Sequence, residues 1–122
     1  MNRERVFADE TKLPRQKIIC GAAIELISAR LSPLKSVSVA TILIDSGKAS
    51  PRHYHRIMEE VYYFIAGIGR VAVGDQSFDV GPGMAVGVPA GEWHQVFNTG
   101  PNELKFISSD SPSFDPEDIY LE

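Results

Sequence analysis

The chain of 122 residues contains three histidines, and two of them, His53 and His55, stand one residue apart. In an extended segment, residues i and i+2 project from the same face. The two imidazoles would therefore lie side by side. A carboxylate pair, Glu59 and Glu60, follows, and Glu60 lies one short bend away. Imidazole nitrogen and carboxylate oxygen are the usual ligands of a divalent transition metal. Residues 47–67 thus predict a metal site. The third histidine, His94, comes after the turn-forming Pro89, Ala90 and Gly91, at the start of an apolar run.

The segments that must position these side chains read as strands. Residues 36–45 are rich in β-branched side chains and stop at Ser46 and Gly47. Residues 60–66 form a second strong strand, and Gly67, Ile68 and Gly69 make a turn. Shorter strands are expected over 70–73, 77–80, 84–88, 94–97 and 103–108, separated by Gly, Pro, Asn and Asp. Ile18, Ile19 and Cys20 suggest a further short strand. Residues 22–31 suit helix or strand by periodicity, and strand is favoured because everything downstream is strand-like. A single helical turn is expected near 115–118. Many short strands at regular intervals predict an all-β sandwich or barrel, and a jelly roll closes such sheets around one interior.

Composition narrows the function. The length suits one domain with a real core. It divides into an N-terminal arm (1–16), a barrel (17–108) and a C-terminal tail (109–122). No apolar run approaches the roughly 20 residues that span a bilayer, and the N-terminus lacks a signal-peptide core. A cytoplasmic protein is the expectation, with no membrane partner. The net charge is −4, and no basic stripe marks a nucleic-acid site. The basic residues of the first twenty, Arg3, Arg5, Lys12, Arg15 and Lys17, alternate with Glu4, Asp9 and Glu10, as on a solvated arm. The acidic tail, with Asp110, Asp115, Glu117, Asp118 and Glu122, reads as solvated surface. Cys20 is the one cysteine, so no internal disulfide forms, and it reads as a small buried apolar residue.

Two motifs resemble those of the cupin family. The first is Gly, five residues, His-x-His, four residues, Glu, six residues, Gly, filled by Gly47, His53, His55, Glu60 and Gly67. The second is Gly, five residues, Pro-x-Gly, two residues, His, three residues, Asn, filled by Gly83, Pro89, Gly91, His94 and Asn98. No position departs from the pattern, which covers residues 47–98. The resemblance implies a single-domain cupin β-barrel with one divalent metal ion held by His53, His55, Glu60 and His94. It also selects Glu60 over Glu59, which reads as a surface residue. The donor set accepts Mn, Fe, Ni, Zn, Co or Cu.

Strand parity extends this picture. Glu60, Tyr62 and Phe64 share one face, as do His94, Val96 and Asn98. Around a central metal, Tyr62, Phe64, Val96 and Asn98 are expected to line the cavity. Tyr62 is a candidate acid, base or hydrogen-bond donor to substrate, or an aromatic wall. Trp93 should face away from the metal, Arg52 and Arg56 read as solvated, and Met58 and Met84 as packing filler. The resemblance allows a metalloenzyme acting on a carboxylate, enol or sugar-type small molecule, with dioxygenase or decarboxylase chemistry favoured over isomerisation. It also allows a non-catalytic module that binds or senses a small molecule. A homodimer is expected, with the segment before Ile18 as a candidate exchanged arm. Ile119, Tyr120 and Leu121 are expected to need a surface to bury against.

Overall fold

In the computed structural model, which describes residues 5–122, the chain folds into two antiparallel sheets facing one another. The strands are β1 (Gln16–Ile18), β2 (Gly21–Ile27), β3 (Ser38–Ile44), β4 (His53–Tyr54), β5 (Glu59–Ala66), β6 (Gly69–Val73), β7 (Gln76–Val80), β8 (Ala85–Val88), β9 (His94–Asn98), β10 (Leu104–Ser111) and β11 (Tyr120–Leu121). One sheet runs β1-β2-β3-β10-β5-β8 and the other β11-β4-β9-β6-β7. The fold is the expected jelly-roll barrel. Among the described residues the only helical turns are Glu10–Lys12 and Pro116–Asp118, the second capped by the Asp115 side chain. None is long and apolar enough to cross a membrane.

Alternation in sequence becomes alternation in burial. Along β5, Glu60, Tyr62 and Phe64 face inward while Glu59, Val61 and Tyr63 face solvent. The core between the sheets gathers Phe64, Val71, Val96, Leu104 and Phe106, and Cys20 is buried with them. Met58 is buried, but Met84 is 51% exposed and so fills no core space.

Two expectations need correction, the strand over Ile18, Ile19 and Cys20 and the solvated N-terminal arm. Ile18, Ile19 and Cys20 do not make one strand: β1 ends at Ile18, the next two residues form the turn into β2, and Ile19 is 80% exposed. The N-terminal arm is packed on its own chain. Arg5 donates to the carbonyls of Glu25 and Leu26, and the Glu10 carboxylate accepts from Lys105 Nζ and Thr41 Oγ1. Arg3 and Glu4 lie outside the described residues. The C-terminal end meets its expectation of a surface to pack on, and that surface is β4 of the same chain. β11 pairs with β4, and Tyr120 stacks on Tyr54 with ring centroids 5.0 Å apart.

Gly67 turns β5 into β6 with φ +85°, a left-handed value that side chains resist. A Cβ there would sit 2.8 Å from the Glu103 carbonyl oxygen. Gly67→Ala is expected to destabilise the barrel by about 2 kcal/mol, read as a lower urea midpoint with an unchanged slope.

Candidate metal centre

The cluster is assembled by pairing between strands distant in sequence. In one sheet, β4 lies beside β9 with His53 opposite His94, and β6 supports β9 with Val73 opposite His94. In the other, β5 brings Glu60, flanked by Asp110 of β10 and Val88 of β8. His55 lies just past β4, where its carbonyl accepts from the Gly91 N–H at 2.6 Å. That bond ties the turn before His94 to the loop carrying His55. One ligand atom from each of His53, His55, Glu60 and His94 lies within 4.8 Å of the other three. His55, Glu60 and His94 are buried and His53 is half-buried.

All three imidazoles are oriented in the same way. Nδ1 of His53 contacts the Pro51 carbonyl at 2.8 Å, Nδ1 of His55 that of Asp118 at 2.7 Å, and Nδ1 of His94 that of Glu92 at 3.0 Å. A carbonyl only accepts, so each Nδ1 carries the hydrogen, and in the neutral ring Nε2 keeps its lone pair. The Nε2 atoms of His55 and His94 lie 3.0 and 3.2 Å from Glu60 Oε1. The second approach lacks hydrogen-bonding geometry and leaves His94 Nε2 buried without a partner. Lone pairs facing a carboxylate at these distances repel unless a proton or a metal cation stands between them. Two ligand atoms each ~2.1 Å from one cation sit about 3 Å apart when adjacent. The donor set, its tautomers and its spacing fit a divalent transition metal, and the four side chains form a possible metal-binding site.

The surroundings fix Glu60 further. Tyr62 donates its hydroxyl to Glu60 Oε1 at 2.9 Å. The Ser108 hydroxyl lies 3.1 Å from Glu60 Oε2 and 3.2 Å from Asp110 Oδ1. Burial works to raise the Glu60 pKa, but the His55, His94 and Asp110 groups around it outweigh burial and hold it far below the usual range. Burial and then the Glu60 charge push Asp110 up to about 9, so this carboxyl keeps a proton beside its ionised neighbour. Burial and the Glu60 charge likewise hold the Tyr62 phenol well above its ordinary value. Burial lowers His53, with the neighbouring His94 acting the same way. Burial also works to lower His55, but the Glu60 carboxylate prevails and leaves it raised.

A cavity of about 440 Å³ opens beside the cluster, and His53, His55, Glu60, Tyr62 and Val96 line it. Two residues expected on its wall lie elsewhere. Phe64 is wholly buried in the core. Asn98 is buried and donates to the carbonyls of Ile44 and Asn102, tying the end of β3 to the loop that follows β9. Glu59 and Arg56 are exposed, and Trp93 packs away from the site against Tyr54, with the Arg52 guanidinium 4.7 Å above its ring.

The acidic tail is not uniformly solvated. Asp110 is 4% exposed and Asp118 6%. The Asp118 carboxylate accepts the backbone N–H groups of Arg56, Ile57 and Met58 at 2.9, 3.0 and 3.0 Å. Its own carbonyl orients His55. Sequence reading missed Asp118, Asp110 and Ser108 because nothing local distinguishes them from surface residues.

The family model described as a cupin domain matches residues 40–110. An uncharacterised protein of Methanocaldococcus jannaschii is 28% identical over 84 residues, covering 69% of this chain and 67% of that protein. The structure of KdgF from a Halomonas species superimposes with a TM-score of 0.81 at 18% identity, covering 93% of this chain and 99% of that one. The polyketide cyclase RemF of Streptomyces resistomycificus superimposes with a TM-score of 0.78 at 18% identity, covering 97% and 84%. At these identities the two structural likenesses concern the fold.

Proposed function

The chain belongs to the cupin-domain family, and on that premise we propose that it is a divalent-metal cupin acting on a small molecule. His53, His55, Glu60 and His94 hold the ion, and the ligand occupies the adjoining cavity. The observation that carries this reading is the convergence of imidazole Nε2 atoms on Glu60, with His94 Nε2 lacking any partner. Mn, Fe, Ni, Zn, Co and Cu all suit the donors. The bound ion supplies Lewis acidity toward a ligand oxygen or redox capacity toward O₂.

The chain's own residues supply the rest. The three Nδ1–H bonds to carbonyls lock the imidazole planes. Tyr62 and Ser108 fix the two oxygens of Glu60, and Tyr62 keeps its proton as a donor at the cavity wall. Val96 and Phe106 exclude water from the same space. Dioxygenase or decarboxylase chemistry on a carboxylate or enol is the reaction class this arrangement suits.

One observation favours a second reading, a module that holds a ligand without turning it over. Each titratable side chain around Glu60 is engaged within the protein: Tyr62 with Glu60, and Asp110 with Ser108 and Ser38. The metal-loaded protein should be assayed against a panel of carboxylates and enols. Steady turnover that disappears in His55→Ala is expected. Saturable binding without turnover across the panel would establish the second reading instead.

A further inference from the structure

The cavity is graded, and strand register sets the gradient. Three rows of inward residues cross the sheet at right angles to β3, β10 and β5. The first is Ser38, Asp110, Glu60; the second Ala40, Ser108, Tyr62; the third Ile42, Phe106, Phe64. Polarity is spent at the ligand cluster and falls away along the strands. Beyond it Ile18, Ala23, Ile42, Ile44 and Phe106 make most of the wall; Gln16, Glu25, Ser28 and Ser50 also line it, with Ser28 donating to Glu25 and Ser50 accepting from the Val96 N–H. Among the described residues, Arg30 is the only lysine or arginine lining the cavity, and it is paired with Glu25, which also lines it. Among the described residues, no unpaired basic side chain on the wall is therefore left to meet a second anionic group.

These walls constrain the ligand. A hydroxyl-rich body would lose its water and find mostly hydrocarbon, or polar groups already engaged with one another, beyond Ser108 and Asp110, and each unmet hydroxyl is costly. A phosphate or second carboxylate would be stranded there as an unpaired charge. An apolar body gains from the same burial. The volume is at the small end of the ~300–1,000 Å³ typical of ligand pockets.

We infer that the ligand is a compact, largely apolar organic molecule with one oxygen-donor head, such as a carboxylate, enol or hydroxyketone. The head meets the ion and the hydrocarbon body lies against Ile18, Ile42 and Phe106; sugars, sugar phosphates and dicarboxylates are disfavoured. This inference rests on the metal reading above and narrows it.

Three chelators that share an adjacent carbonyl and hydroxyl but differ in their bodies test it. Tropolone, 4-isopropyltropolone and kojic acid are titrated calorimetrically into the zinc-loaded protein, with zinc content measured before and after. The isopropyl compound is expected to bind at least tenfold tighter than tropolone, the increment for burying three more carbons. Kojic acid, with its hydroxymethyl group, is expected to bind at least tenfold more weakly than tropolone. Ile42→Thr should remove most of the isopropyl increment. Affinities within twofold of one another on a zinc-replete protein overturn this inference and leave the metal site standing. Failure to take up zinc overturns both.

Discussion

Replacing His94 with alanine is expected to abolish stabilisation by metal. Anything that binds the folded chain and not the unfolded one stabilises it by mass action, about 4 kcal/mol when the free ion stands at 1,000 times its dissociation constant. For a chain of this size that corresponds to a rise in melting temperature of on the order of ten degrees or more. His94 offers the largest loss because its Nε2 is buried with no partner and has no other use. The imidazole cannot be replaced from solvent, since it is 1% exposed at the centre of the cluster. Differential scanning calorimetry on chelator-treated protein, with and without Zn(II) or Mn(II), reads the effect directly. The unsubstituted protein should shift and His94→Ala should not. A shift of equal size in both would place the stabilising ion elsewhere.

The second large effect is expected at Asp118. Its carboxylate gathers three consecutive backbone N–H groups, those of Arg56, Ile57 and Met58. Burial works to raise its pKa, yet the N–H groups of Met58, Ile57 and Arg56 prevail and leave it lowered. Bonds to an ionised acceptor are about twice as strong as neutral ones. Removing the carboxylate also leaves Met58, which is 1% exposed, with an unmet donor. Asp118→Ala is expected to cost about 3 kcal/mol or more in urea unfolding. The same substitution releases the loop that aims His55, so metal affinity should fall roughly 10- to 100-fold, the usual effect of losing an outer support. Asp118→Asn, which keeps one acceptor oxygen, should fall between. A competition titration with a chromogenic chelator separates the two losses. Stability lost with affinity intact would make Asp118 a structural cap alone.

What the sequence made readable follows from how far each interaction reaches along the chain. His53 and His55 are two residues apart, and β5 presents Glu60 by simple alternation. Such spacings are local geometry and made His53, His55 and Glu60 readable; His94 was marked by its own motif and is brought to them by the pairing of β4 with β9. The supports are different. Ser108 reaches Glu60 across 48 residues, and Asp118 reaches Met58 across 60. Only the register of β10 against β5 and the path of the tail bring them there, and neither is written in any short window. Phe64 and Asn98 show a second limit. Parity gives the face of a strand correctly but says nothing of depth along it. Phe64 is four residues from Glu60, about 13 Å in an extended chain, which carries it past the cavity into the core. The run from Ile18 to Cys20 failed because apolar residues flank a tight turn there as readily as they fill a strand.

The central claim is that His53, His55, Glu60 and His94 together hold one metal ion. X-ray absorption on the purified protein, with elemental analysis of the same sample, tests it most directly. The expected result is close to one transition-metal ion per chain, with a first shell of nitrogen and oxygen and the multiple-scattering signature of imidazole. A folded barrel that takes up no metal from replete medium, or an ion bound to sulfur from Cys20, would contradict it.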